Sequence, residues 1–320
     1  MISEKGLRLI HQPQTMAELE QVLQKGDLYG SLVSFILTCS QEGNTKETIN
    51  GHRLKLSQFV RYARETFGVT DPRQVTANHI KFFLVHKQQN CSMTTVNNHY
   101  RELHRFFAYL KDEGVILETP MLTMRPPKKA QHIIRPFSTD HIRDLLTLCP
   151  ENKFLGIRNR ALILTFMDTG LRLAEMAGIM LEDVNIQTDT IRVMGKGNKE
   201  RLVPFGKATK TVLLKYCKSR NSPLPNLWLT EEKKALTRRG IEITIIRLGK
   251  YAGISGVRCS PHTFRHTRAT DLLRDGVEGK YIQTLLGHKD PRMVQRYQAT
   301  INSQDALNAI RSKGNKRRLI

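Results

Sequence analysis

The sequence predicts a mainly α-helical protein in two parts: a small N-terminal helical bundle, then a larger, mostly helical part with one small three-stranded antiparallel sheet. Three observations predict this. Apolar residues recur at three- and four-residue spacing through most of the chain, the period of a helix buried along one side. Alternation with a period of two is confined to short runs between residues 184 and 204. A basic, proline-bearing stretch, residues 114–137, separates two periodic regions and reads as an extended linker.

Residues 1–26 are polar with a weak helical pattern at Met16–Leu23, and read as an arm or accessory helix. Residues 27–113 are helical four times. Leu28, Leu32, Phe35 and Ile36 make the first stripe. Thr45 can cap a second helix bearing Ile49, Leu56, Phe59, Val60 and Ala63. Thr76 can cap a third, with Ile80, Phe83 and Leu84, and Ser92 a fourth, with Val96, Tyr100, Leu103, Phe106, Phe107 and Leu110. Four short helices without a strand signal bury their stripes against one another as a bundle. Lys46, Arg53, Lys55, Arg61, Arg64, Lys81, Lys87, Arg101 and Arg105 lie between the stripes. They suit either a solvated face or a phosphate-contacting one, and the charge of the whole chain favours the second.

The second part runs over residues 138–302. Ser138 caps a helix through Leu148, and Asn159–Met167 is a strongly apolar second helix, broken at Asp168-Thr169-Gly170. Leu171 begins a new one. Val184–Gln187, Thr190–Gly195 and Arg201–Pro204 alternate like strands of a meander, joined at Thr188-Asp189 and at Gly195-Lys196-Gly197-Asn198. Helices resume at about 207–218, 238–252, 263–274, 278–286 and 291–298. The tail, 303–320, has a short amphipathic piece and ends in Lys313, Lys316, Arg317 and Arg318.

The formal charge is +22, from 51 Lys and Arg against 29 Asp and Glu over 320 residues. The cations are interleaved with apolar residues, so they belong to folded surfaces, and a polyanion is the partner they imply. Nucleic acid is the commonest polyanion. Cys39, Cys91, Cys149, Cys217 and Cys259 are scattered and odd in number, which excludes a disulfide framework and a paired zinc motif. No apolar run has the length of a membrane span, and the first residues lack the apolar core of a secretory signal. The expected location is therefore cytoplasmic.

The stretch from Ser260 to Tyr297 carries the chemistry. His262, Arg265 and His288 could hold a phosphate, and Tyr297 follows them. Upstream, Arg172 stands just past a glycine turn, with Glu175 three residues on, either orienting it or facing water. Lys196 sits on a Gly-flanked hairpin tip, from which a flexible amine can reach a leaving oxygen, with Lys199 as competitor. Each has an ordinary alternative: a surface arginine, a solvated lysine, a packed histidine or tyrosine. His262 and His266 share helical spacing, but a metal reading fails for want of a third ligand and for the arginines beside them. His266 reads as a packed histidine. No metal and no cofactor is expected.

Taken together, TGLRLAE around Arg172, GKGNKERLVP around Lys196, HTFRH at 262–266, LLGH ending at His288 and the RYQ tyrosine resemble the tyrosine site-specific recombinase (phage-integrase) family, with a layout like that of Xer-type recombinases or of a simple transposon or phage recombinase. The likeness runs from about Leu28 onwards. It implies a SAM-like core-binding domain at 27–113 and a catalytic domain at 138–302, with the 303–320 tail docking on a neighbouring protomer. It implies catalytic roles for six residues: Arg172, His262, Arg265 and His288 on the scissile phosphate, Lys196 as general acid and Tyr297 as nucleophile, forming a 3′-phosphotyrosyl link. The partners implied are specific sites on double-stranded DNA and a homo-tetramer on two sites, with an accessory or partner recombinase as a further candidate. Integration, excision, transposition and resolution share this chemistry. A topoisomerase-like nicking and rejoining enzyme and a non-cleaving DNA-binding regulator are the alternatives.

Overall fold

The computed structural model describes residues 15–128, 134–195, 200–287, 293–295, 297, 298, 300 and 301. The expectations for Lys196, Lys199, His288, residues 1–14 and the 303–320 tail lie outside the described residues. The chain divides into two compact units, Met1–Gln131 and His132–Ile320.

The first unit holds α1 (Met16–Gln24), α2 (Leu28–Gln41), α3 (Lys46–Phe67), α4 (Ala77–Asn90) and α5 (Met93–Asp112). Local chemistry starts each one. Thr45, Thr76 and Ser92 accept amide protons from Thr48, His79 and Thr95, as the sequence suggested, and Asp27 does the same for Gly30. The third helix stops at Gly68, which takes the left-handed conformation at φ 66°. The apolar stripes meet in an aromatic core, where Phe59 lies edge-on to Phe83 at 5.3 Å and to Phe107 at 5.9 Å. Burying such a side chain stabilises the unit by roughly 1.5–3 kcal/mol. The accessory helix α1 buries none of its own side chains. It rests on α2 through Gly30, where an added Cβ would stand 2.4 Å from the Val22 carbonyl oxygen.

The second unit is built around α7 (Phe154–Thr169), with α6 (Thr139–Thr147) before it, capped by Ser138. In α7, Ile157, Ala161, Leu162, Ile163 and Phe166 are all buried, so the helix is covered on more than one side, as its continuous apolar run requires. It begins at Phe154, ahead of the expected Asn159. Arg158, which looks like a polar boundary, is taken inside: its guanidinium donates to the Leu229 carbonyl at 3.0 Å and to Asn159 Oδ1 at 2.8 Å. The next helix, α8 (Leu173–Ala177), starts later than Leu171 because Gly170 turns the chain at φ 59° and Arg172 stays extended as the residue before the helix.

The sheet is the expected antiparallel meander, β1 (Val184–Asn185), β2 (Thr190–Met194) and β3 (Glu200–Pro204), in the order β1-β2-β3. The first strand is shorter than expected, since the Asn185 side-chain oxygen accepts the amides of Gln187 and Thr188 and turns the chain. Ile191 pairs with Val203 and Val193 with Arg201; the three aliphatic residues are buried, while Leu202 and Met194 face outwards. Then come α9 (Lys207–Ser219), α10 (Arg238–Tyr251), α11 (Pro261–Arg274) and α12 (Gly279–Leu286). Phe264 of α11 stacks on Phe166 of α7 at 5.6 Å, and Trp228 on Tyr216 at 5.4 Å. Among the described residues, no helix is long and apolar enough to cross a membrane.

Candidate active site

The site forms where α8, α11, β3 and the end of α12 meet. A helix leaves its last carbonyls without internal partners, and this end carries the negative pole of the backbone dipoles. In α12 three consecutive carbonyls accept from three different arginines. Leu285 takes Arg201 Nε at 2.9 Å, Leu286 takes Arg265 Nη2 at 2.6 Å, and Gly287 takes Arg172 Nη2 at 2.6 Å. Gly287 ends the helix in the left-handed conformation at φ 64°, where a side chain would be strained and would crowd Arg201.

Each arginine is placed by its own segment. Arg172 precedes the first residue of α8, and its side chain folds back over that helix. Its amide donates to Glu175 Oε2 at 2.9 Å and its Nη1 to Oε1 at 2.8 Å. Arg265 lies in the buried middle of α11, with Nη1 on the Gly170 carbonyl at 2.9 Å. Burial and then the neighbouring Arg172 charge draw its pKa down to about 10, which leaves it protonated at neutral pH. Glu175, which the sequence left between orienting Arg172 and facing water, is enclosed, its side chain 6% exposed. Burial alone would raise its pKa; hydrogen bonds from Arg201 and from the Arg172 amide outweigh that and hold the carboxyl below the usual range.

Arg201 was absent from the expected set. Its terminal nitrogens bind both oxygens of Glu175, at 3.1 and 2.9 Å. The signal for it lay in the strand alternation: a residue two before buried Val203 must face inwards, and an inward-facing charge needs a partner.

His262 is exposed on the first turn of α11, after Ser260 and Pro261. His266, one turn on, is buried; burial pushes its pKa down, partly opposed by a hydrogen bond with the Ile134 backbone. Its Nε2 has no hydrogen-bond partner among the described residues. Its ring lies 5.1 Å from that of Tyr297. Tyr297 is buried, 5% exposed, in an apolar cluster with Ala269, Leu272, Ile282 and Leu286, and close enough to Arg265 for their charges to interact. The fold therefore gathers Arg172, Arg265 and Tyr297 at one place. The first unit's cations divide. Lys46, Arg64, Lys81 and Arg101 are exposed. Lys55 instead bonds Glu102 at 3.1 Å, and Lys87 lies over the Phe83 ring, its pKa lowered by burial.

The chain is similar to known proteins along most of its length. A model described as the phage integrase family matches residues 136–304, and one described as the phage integrase N-terminal SAM-like domain matches residues 33–114. Tyrosine recombinase XerD of Listeria monocytogenes serotype 4b (strain F2365) is 31% identical over 279 residues, covering 85% of this chain and 93% of the relative. Tyrosine recombinase XerC of Anoxybacillus flavithermus (strain DSM 21510 / WK1) is 35% identical over 193 residues, 58% of this chain and 64% of the relative. Two solved structures share the fold. One is the XerH site-specific recombinase bound to palindromic difH substrate in a post-cleavage complex, at TM-score 0.72 and 18% identity, covering 95% of this chain and 90% of that one. The other is a lambda integrase tetramer bound to a Holliday junction, at TM-score 0.70 and 16% identity, covering 88% and 84%.

Proposed function

Because the chain belongs to the phage integrase family, we propose that it is a site-specific DNA recombinase that cuts and rejoins strands through a tyrosine ester. The observation that carries this reading is the convergence of Arg172 and Arg265 with Tyr297 around the end of α12. Two guanidiniums set side by side would hold the non-bridging oxygens of a scissile phosphate and neutralise the charge that grows on them during attack. His262 and His288 complete that phosphate site. Tyr297 leaves its apolar cluster and gives up its phenolic proton to solvent, and its oxygen bonds to phosphorus as the bond to the 5′ oxygen breaks. Lys196 supplies the proton to that leaving oxygen.

The product is a 3′-phosphotyrosyl link and a free 5′-hydroxyl. A 5′-hydroxyl from another strand attacks the link in reverse, so one phosphodiester is exchanged for another. The energy of the broken bond is kept in the ester, and the exchange calls for neither nucleotide hydrolysis nor a redox cofactor.

In this reading residues 27–113 form the core-binding domain, 138–302 the catalytic domain, and the basic linker 114–137 lies along the DNA backbone. The phosphate-facing cations of the first domain are drawn from Lys46, Arg64, Lys81 and Arg101. Four protomers act on two sites in the cytoplasm, each tail from residue 303 docking on a neighbour, with an accessory or partner recombinase as a further participant.

The test is Tyr297→Phe on a nicked suicide substrate carrying the recombination site. The variant is expected to bind the site as the wild type does and to form no covalent protein–DNA adduct. An undiminished adduct yield would remove Tyr297 as nucleophile.

A further inference from the structure

We propose that Arg201 is a positioning residue for strand cleavage: it takes up the charge of Glu175, so that Arg172 is held in place by that carboxylate without being neutralised by it. The inference rests on the recombinase reading above and concerns a residue outside the expected phosphate-binding set.

The argument starts from a conflict. Arg172 needs an anchor, because a long side chain left free would sample many rotamers and meet a phosphate in the right pose only part of the time. Glu175 is that anchor. A carboxylate bonded only to Arg172 would also cancel its charge, and a cancelled guanidinium attracts a phosphate weakly. The structure resolves the conflict with a second guanidinium. Arg201 faces both carboxylate oxygens in the fork geometry, whereas the Arg172 side chain uses one nitrogen on one oxygen. Among the described residues, Arg172, Arg201 and Arg265 against Glu175 leave the cluster positively charged. Both partners of the Arg201–Glu175 pair are enclosed, at 13% and 6% side-chain exposure, so water screens the pair little.

Arg201 also has the right connections. It stands one residue after Glu200, at the near end of the strand that leaves the Lys196 hairpin, and its Nε holds the Leu285 carbonyl two residues before Gly287. Arg172 holds the Gly287 carbonyl itself. One side chain thus ties the strand after the proposed general acid to the α12 end that carries on to His288, and to the carboxylate that aims Arg172.

The experiment uses the full chain and the nicked suicide substrate, and measures single-turnover adduct formation, site affinity and thermal unfolding. Arg201→Met is expected to slow adduct formation by about 10²-fold with affinity within about threefold. Arg201→Lys should recover part of the loss. The deciding comparison is made in Glu175→Gln, where there is no carboxylate charge to take up. Adding Arg201→Met there is expected to change the rate by less than about fivefold, since two residues acting as a unit are non-additive. This double variant removes the Arg201–Glu175 pair as a unit, so neither half of it is left buried without the other, and it stays readable if Arg201→Met alone unfolds. A loss as large in the Glu175→Gln background as in the wild type would overturn the inference, as would an unchanged rate in folded Arg201→Met. Absence of a Tyr297-dependent adduct from the wild type would overturn the recombinase reading and this one with it.

Discussion

Gly170→Ala probes how closely α7, α11 and α12 meet at the candidate site. Gly170 has φ 59°, and an added Cβ would lie 2.7 Å from Leu286 Cδ2 and 3.4 Å from Arg268 Cβ. Leu286 is fully buried, so its side chain has to shift within a packed cluster. Gly253, at φ 65°, has nothing within 4 Å of such a Cβ, so Gly253→Ala carries the conformational penalty alone. That penalty is about 1–2 kcal/mol, offset by about 0.5–1 kcal/mol from the reduced freedom of the unfolded chain. The control should therefore lose about 1 kcal/mol. Overpacking against Leu286 adds about 1–3 kcal/mol, which puts Gly170→Ala at about 2–4 kcal/mol. The Gly170 and Leu286 carbonyls are the two acceptors of Arg265, so pushing them apart should also slow adduct formation more than the control does. Trp228 is the single tryptophan and is buried in the same unit, so its fluorescence during urea unfolding reports this unit alone. Equal unfolding midpoints and equal adduct rates for the two variants would refute the close approach.

Two further outcomes are expected. Arg172→Lys keeps a cation but loses the fork that reaches Glu175 and Gly287 together, so adduct formation should fall by about 10²-fold with site affinity nearly unchanged, as single-turnover cleavage and a binding titration would show. His99 is buried edge-on to Phe83, and burial first, then Lys87 and Lys55, lower its pKa to about 4. The unfolded chain takes up the proton near pH 6.5 while the folded one does not. The stability linked to His99 is therefore full above that pH and lost as pH falls towards 4, by on the order of 3 kcal/mol at the bottom of the window. His99→Phe should flatten this loss, measured by circular dichroism of the first unit's unfolding at pH 4.5 and 7.5; an unchanged pH dependence would reject it.

Much was legible in the chain itself. Thr45, Thr76, Ser92 and Ser138 mark helix starts because a hydroxyl caps an amide only three residues away. The stripes on α3 and α5 and the alternation in β2 and β3 are equally local, because period and burial are two views of one geometry. The boundaries that shifted, at Phe154 and Leu173, are places where a distant partner or a left-handed glycine overruled the local pattern. His266 was expected to be packed, and it is buried against Tyr297. The candidate site could be read only as a set, because each residue alone has an ordinary alternative and the signal lies in their combination and order.

What the sequence by itself determined, then, is which segments are helices and strands and which side chains are candidates for the chemistry. Only the tertiary structure decided how those side chains meet: Arg265 with Gly170, Arg172 with Gly287, and Arg201 with Glu175. These partners are 95, 115 and 26 residues apart in the chain, and nothing in local periodicity encodes such pairings. The physical reason is that the orphaned carbonyls at the end of α12 are satisfied by whichever donors the packed core delivers to them, and the core delivers three arginines.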